Sequence, residues 1–310
     1  MIRALLVAAL LAATSCSAPE AGTAGGPEPW RAPRERAAAL RKEGKLDEAA
    51  AELATALQLL RAAGGPALDR AAALEGLART RLQQGDLAAA ESLYVAALST
   101  LTDTVGLAAV PGPRLVAVLG TLADLNQSLG RLDRAEAYYR RIGELTAAGW
   151  VDLGPTDLAL AYTLAGQARV RRARGDSVGA DSLAGRAMGI NLLSQGYDLF
   201  VYERFEEAEP QLRRALALQE RFLGARHPDA ARSAHLLGRI AEATGRPEAA
   251  VSMYRRAAEA YRAGGRGWRL DQAGALDDLA GALASLGRSA AADSAAAAAD
   301  RLRSPAGSGG

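Results

Sequence analysis

The sequence predicts an all-α protein, an array of about seven helical hairpins, and three observations predict it. The composition is 49% hydrophobic but only 5% aromatic, and alanine and leucine supply most of the apolar side chains, a mixture that favours helix over strand. A turn recurs along the chain, marked by Gly44, Gly85, Gly130, Gly175, Gly245 and Gly287, with Glu203 in the corresponding place between Gly175 and Gly245. Five residues beyond each of these seven turns stands an alanine: Ala49, Ala90, Ala135, Ala180, Ala208, Ala250 and Ala292. Self-similarity in fixed register is the signature of a repeat architecture, in which each unit buries its apolar face on its neighbours.

Each hairpin is justified by further positions in the same register. Nine residues beyond the turns lie Leu53, Tyr94, Tyr139, Ala184, Leu212, Tyr254 and Ala296, and twelve beyond lie Ala56, Ala97, Ile142, Ala187, Ala215, Ala257 and Ala299. Offsets of 5, 9 and 12 fall on one face of a helix. Seven residues before the turns stand Ala37, Ala78, Ala123, Ala168, Gly196, Gly238 and Ala280, all small. Each unit is therefore expected to be two helices joined by a tight turn, with a small residue of the first facing a small residue of the second. Glycine at the turn suits the left-handed conformation that ends a helix.

This pattern of small, glycine, alanine, aromatic and alanine positions resembles the tetratricopeptide repeat. The resemblance spans Arg34 to Leu302 and implies a solenoid of helical hairpins with a right-handed superhelical path. The turns are 41, 45, 45, 28, 42 and 42 residues apart, mostly longer than the family's repeat of about 34. The segment Leu223-Gly224-Ala225-Arg226-His227-Pro228-Asp229 is similar to the inter-repeat loop of the longer, kinesin-light-chain-like variant.

Taken in chain order, Met1-Ile2-Arg3, the apolar run Ala4 to Ala13 and Thr14-Ser15-Cys16 have the charged, hydrophobic and small-residue order of a secretory signal. The run is too short to span a bilayer, which takes about 20 residues. Residues 1–15 resemble a bacterial lipoprotein signal, which implies that Cys16, the one cysteine of the chain, is lipid-modified and becomes the mature N-terminus. Ala13 departs from the leucine usual in such signals, and a plain secretory signal cut near Ala18 is the other reading. Ser17 after Cys16 implies outer-membrane destination by the same resemblance. Residues 16–33, rich in proline, glycine and alanine, read as a flexible tether. Trp30 within it suits packing on the first helix or an interfacial anchor.

The repeat domain is expected over 34–302 and a disordered tail over 303–310. Its first unit is short and suits a capping repeat. Around 176–203 the array is irregular: too few residues separate Gly175 from Glu203, and Gly185 and Gly189 interrupt the intervening helix. A kink or break near residue 189 is expected there.

Charge and chemistry narrow the function. Formal net charge is +2 and the cations are almost all arginine, Lys42 and Lys45 being the only lysines, so nothing here points to nucleic acid. His227 and His235 lack cysteine or carboxylate partners at ligand spacing, and neither a phosphate-cradling loop nor a nucleophile elbow is present. No metal, cofactor or catalytic activity is therefore expected.

The family resemblance implies instead a concave face lined by first helices. Carried over by register, it places Glu75, Arg79, Asp124, Gln127, Tyr162, Arg169, Arg172, Tyr197, Phe200, His235, Arg239, Glu242 and Asp277 in a candidate peptide-binding groove. The cationic and aromatic middle of this set suits an acidic or C-terminal-carboxylate segment, centred on Arg169, Arg172 and Tyr197. The arginines from Arg169 to Arg174 also suit the solvated C-terminal end of a helix. The expected role is a membrane-anchored protein–protein interaction scaffold of the bacterial cell envelope, lipid-attached at the outer membrane and facing the periplasm. The alternatives are a regulatory or recruiting subunit of an envelope enzyme, such as a protease or peptidoglycan hydrolase, and a catalytic protein of unrecognised type.

Overall fold

The structure, a computed structural model, describes residues 28–106, 110–147 and 158–304. The expected signal over 1–15, Cys16, the tether as far as residue 27 and the tail beyond residue 304 lie outside them. Among the described residues there are thirteen α-helices and no strand. The chain divides into two compact units, Met1–Asp152 and Leu153–Gly310. The first holds α1 (Arg31–Lys42), α2 (Leu46–Ala62), α3 (Ala67–Gln83), α4 (Leu87–Ser99), α5 (Gly112–Ser128) and α6 (Leu132–Ala147). The second holds α7 (Leu158–Ala173), α8 (Ser177–Val201), α9 (Phe205–Leu223), α10 (Pro228–Ala243), α11 (Pro247–Gly264), α12 (Arg269–Ser285) and α13 (Ser289–Arg303).

All seven turns share one backbone geometry. Their φ angles are positive, and Glu203, at 58°, is the only non-glycine among the described residues that adopts this conformation. At Gly44 the turn N–H donates to the Arg41 carbonyl (3.2 Å) and the Lys45 N–H to the Leu40 carbonyl (2.9 Å). At Glu203 the same two bonds run to Phe200 (3.0 Å) and, from Arg204, to Leu199 (2.9 Å). This pairing closes the last carbonyls of a helix when the next residue turns left-handed. The next helix then starts at once, in two cases with an aspartate cap: Asp86 accepts from the Ala89 N–H (3.0 Å) and Asp176 from the Gly179 N–H (2.8 Å).

The alanines five residues beyond the turns are buried in every hairpin. Ala37, Ala49 and Leu53 form one apolar cluster, joining the positions at −7, +5 and +9. Where the −7 residue is glycine its neighbour is large: a β-carbon at Gly196 would stand 2.6 Å from Leu212 Cγ, and one at Gly238 would stand 2.5 Å from Tyr254 Cε1. The small residue therefore receives the bulky +9 side chain, a use of the space that the expected small-on-small contact leaves out. Close packing of this kind turns a one-carbon difference into strain.

The irregular region differs from expectation. No break occurs near 189: α8 runs through Ser177–Val201 as one helix of 25 residues. Its first half packs on α7, through Ala187 and Ile190 against Ala161 and Leu164. Its glycines face α9: a β-carbon at Gly185 would fall on the Phe222 ring, and one at Gly189 would lie 3.4 Å from Gln219 Cγ. Each interior glycine costs a helix about 1 kcal/mol in propensity, and here that cost is offset by the close approach it permits. The helix thus closes the Gly175 hairpin with α7 and opens the Glu203 hairpin with α9, so that thirteen helices make seven hairpins. The division of the chain falls instead between Asp152 and Leu153.

The N-terminal boundary also moves. Helix α1 begins at Arg31, ahead of Pro33, which sits in the first turn where its missing N–H breaks no helical bond. Trp30 is 8% exposed and packs not on the first helix but against Ala56, Leu57 and Leu60 of α2 and Ala73 of α3. Residues 28–33 therefore belong to the folded body. At the other end α13 extends to Arg303.

Candidate protein-binding groove

In the first unit the candidate groove residues are Arg79 on α3 and Asp124 and Gln127 on α5, all half-buried. Asp124 accepts a hydrogen bond from the hydroxyl of Tyr139 at 2.6 Å, so the buried aromatic of the second helix reaches a candidate residue of the first. Glu75, three positions below Ala78 on α3, pairs with Arg114 (2.8 Å). Tyr94 carries no such carboxylate; burial pushes its hydroxyl up to about 12, opposed by the charge of Arg79. Arg41, in the last turn of α1, occupies the register of Gln127 and Arg172, three residues before its turn. It stands at the register of the candidate groove positions, in a unit from which the sequence reading took none.

In the second unit the candidate residues separate into three groups. Arg169 is exposed, and Arg172 turns across to α8, where its Nη2 donates to Asp181 Oδ1 at 2.7 Å. Tyr162 is half-buried on α7. On the next pair of repeats, Arg239 of α10 lies over the ring of Phe200, its guanidinium carbon 4.8 Å from the centroid. Phe200 also meets Phe205 at 5.8 Å. Tyr197 is three residues before Phe200 and so on the same side of α8, 48% exposed, with Val201 beyond it 55% exposed. The Phe200–Arg239 pair is thus a cation–aromatic contact between two of the residues that the register placed in the candidate groove.

The third group surrounds His235. Its Nε2 lies 2.7 Å from Asp278 Oδ2 on α12, and its ring meets Tyr254 edge-on at 5.7 Å and Tyr261 at 6.4 Å. Tyr254 donates to Glu242 Oε2 at 2.7 Å. Burial, the bond to Glu242 and the charge of that carboxylate all push the Tyr254 hydroxyl far above its ordinary range. Trp268 stacks on Tyr261 at 5.7 Å. His235 is thus tied into the packing between repeats. Asp278, the neighbour of the expected Asp277, is the residue that holds it, while Asp277 pairs with Arg303 of α13.

Among the described residues no cluster of histidine, cysteine and carboxylate side chains has a geometry that could hold a metal ion, and no helix is long and apolar enough to cross a membrane. Family models named for the tetratricopeptide repeat match residues 31–103 and 190–263, and again 116–146, together more than half of the chain. The chain belongs to the tetratricopeptide repeat family. No curated protein sequence matches it. Solved structures similar to it include BtubC from P. vanneervenii, 20% identical, with 86% of this chain and 96% of that chain covered at a TM-score of 0.34. A Podosopora anserina protein with nearly identical TPR-like repeats of kinesin light chain type is 19% identical, covers 77% and 97%, and has a TM-score of 0.41. The TPR2AB domain of yeast Sti1, in complex with pHSP90, is 13% identical, covers 87% and 98%, and has a TM-score of 0.33. Tetratricopeptide arrays are scaffolds for protein–protein interaction, offering an extended concave surface built by stacked repeats.

Proposed function

We propose that this tetratricopeptide chain is a lipid-anchored adaptor of the bacterial cell envelope, attached through Cys16 at the outer membrane, facing the periplasm and binding a protein segment along its first helices. The reading of the groove rests chiefly on one contact: Arg239 stacked on Phe200 from successive repeats, beside the half-exposed ring of Tyr197. Arginine and aromatic side chains supply most of the binding energy at protein interfaces. A stacked guanidinium keeps its edge donors available for carboxylates, which favours an acidic segment in the partner. The anchor rests on the order of residues 1–16 and on Ser17 after the cysteine.

The deciding experiment is crosslinking with mass spectrometry on native membranes, comparing the natural chain with the double variant Phe200→Ala, Arg239→Glu. Loss of a specific crosslinked partner from the variant is the expected result; the same partner captured by both removes the groove assignment. Cys16→Ala should leave the membrane fraction, and its retention there removes the anchor.

A further inference from the structure

A second feature of the first unit is a pair of arginines without acceptors. Arg41 of α1 and Arg79 of α3 stand on two helices that pack against each other, both half-buried. The Nε atom of each is fully buried, and among the described residues neither has a hydrogen-bond partner. Among the described residues neither guanidinium forms an ion pair, and four carboxylates of this unit are engaged elsewhere. Glu75 pairs with Arg114, Asp69 with Arg34 and Glu43 with Lys45, and Asp47 accepts from Gln84. Burial and, next, the charge of Arg79 lower the pKa of Arg41, and both arginines act on the buried hydroxyl of Tyr94. Burying a charged donor without an acceptor is costly, and placing two like charges together adds to the cost.

We propose that Arg41, Arg79 and the Tyr94 hydroxyl form an oxyanion site fitted to a tetrahedral dianion of the phosphate type, either the free ion or a phosphomonoester. The charge count selects the class: two uncompensated guanidiniums are balanced by a dianion, whereas a single carboxylate leaves one positive charge over. The donor count agrees. The two planar forks and the phenol stand on α1, α3 and α4, and an acceptor with oxygens in more than one plane suits such a set. The Tyr94 hydroxyl stays protonated through neutral pH and donates.

The test is thermal denaturation and calorimetric titration of the full chain with inorganic phosphate, O-phosphoserine and acetate at matched ionic strength. Phosphate in roughly tenfold excess over its dissociation constant should raise the melting temperature by about 3 °C. Arg41→Gln and Arg79→Gln should each weaken binding about tenfold or more, and Tyr94→Phe by several-fold. Both glutamine variants relieve a like-charge contact, so without phosphate each should melt no lower than the natural chain, with unchanged helical circular dichroism. O-phosphoserine binding as well as phosphate assigns the site to a phosphomonoester, and its exclusion assigns it to the free ion. Acetate acting as strongly as phosphate, or phosphate acting equally on the glutamine variants, overturns the proposal. None of these readouts depends on capture of a protein partner.

Discussion

The ring of Tyr254 rests on the backbone of Gly238, so close that a β-carbon on the glycine would stand 2.5 Å from Cε1 and 2.6 Å from Cδ1. Tyr254 is fully buried and held at its far end by Glu242, so it has no direction in which to retreat. Gly238→Ala should therefore destabilise the second unit by about 2–3 kcal/mol despite the better helix propensity of alanine. Gly281, also within a helix, has open space around it. Gly281→Ala should stabilise by about 0.5–1 kcal/mol. Urea denaturation of the two variants checks the pair; equal signs refute the packing argument.

Glu203 holds a left-handed φ of 58° at a turn where the other six hairpins have glycine. A side chain in that conformation costs roughly 1 kcal/mol. Glu203 is exposed and its ordinary neighbours hold no bond that glycine would lose at the backbone, so Glu203→Gly should raise stability by about 0.5–1 kcal/mol. Denaturant midpoints read this directly, and a fall in the midpoint contradicts it.

Glu209 of α9 accepts from Arg246 at 2.7 and 3.1 Å and from Arg213 at 2.6 and 3.1 Å. The bonds from Arg246, then those from Arg213, hold its carboxyl at about 2 against desolvation, below the ordinary carboxylate value. A depressed folded-state value stabilises the fold above the ordinary carboxylate range, and that contribution is lost as pH falls from about 5 through 2. Glu209→Gln should lower stability near neutrality by about 1 kcal/mol, as for a well-placed surface network. It should also flatten the acid limb of a melting-temperature profile between pH 5 and 2. A variant whose acid limb matches the natural chain's removes Glu209 from the acid response.

Phe200→Ala and Arg239→Glu act on side chains that touch each other, Arg239 exposed and Phe200 half-buried at the edge of the second unit's core. Each should shift the melting temperature by no more than about 3 °C, while capture of the crosslinked partner falls at least about tenfold. Arg172→Glu breaks only its exposed bond to Asp181 and should leave capture within about twofold. A larger loss at Arg172 than at Arg239 returns the centre of the groove to α7.

Turn glycines and their alanines were legible in the sequence because the requirement at each is local. A left-handed residue must end the helix, and a methyl is the largest side chain that fits where the helices of a hairpin meet, so the same residue types return in register. That register alone determined the all-α hairpin array and its seven turns. It held even at Glu203, where the residue changed and the backbone did not. Tertiary packing decided the rest. Gly185 and Gly189 read as helix breakers by propensity, yet α8 continues through them because Phe222 and Gln219 of α9 fill the space that their missing side chains leave. Arg172 and Arg239 are of one residue type and both face the expected groove, but one meets Asp181 and the other Phe200. Which partner a long side chain reaches depends on how far the next helix lies and at what angle it crosses, and a repeat pattern within each hairpin carries no record of either.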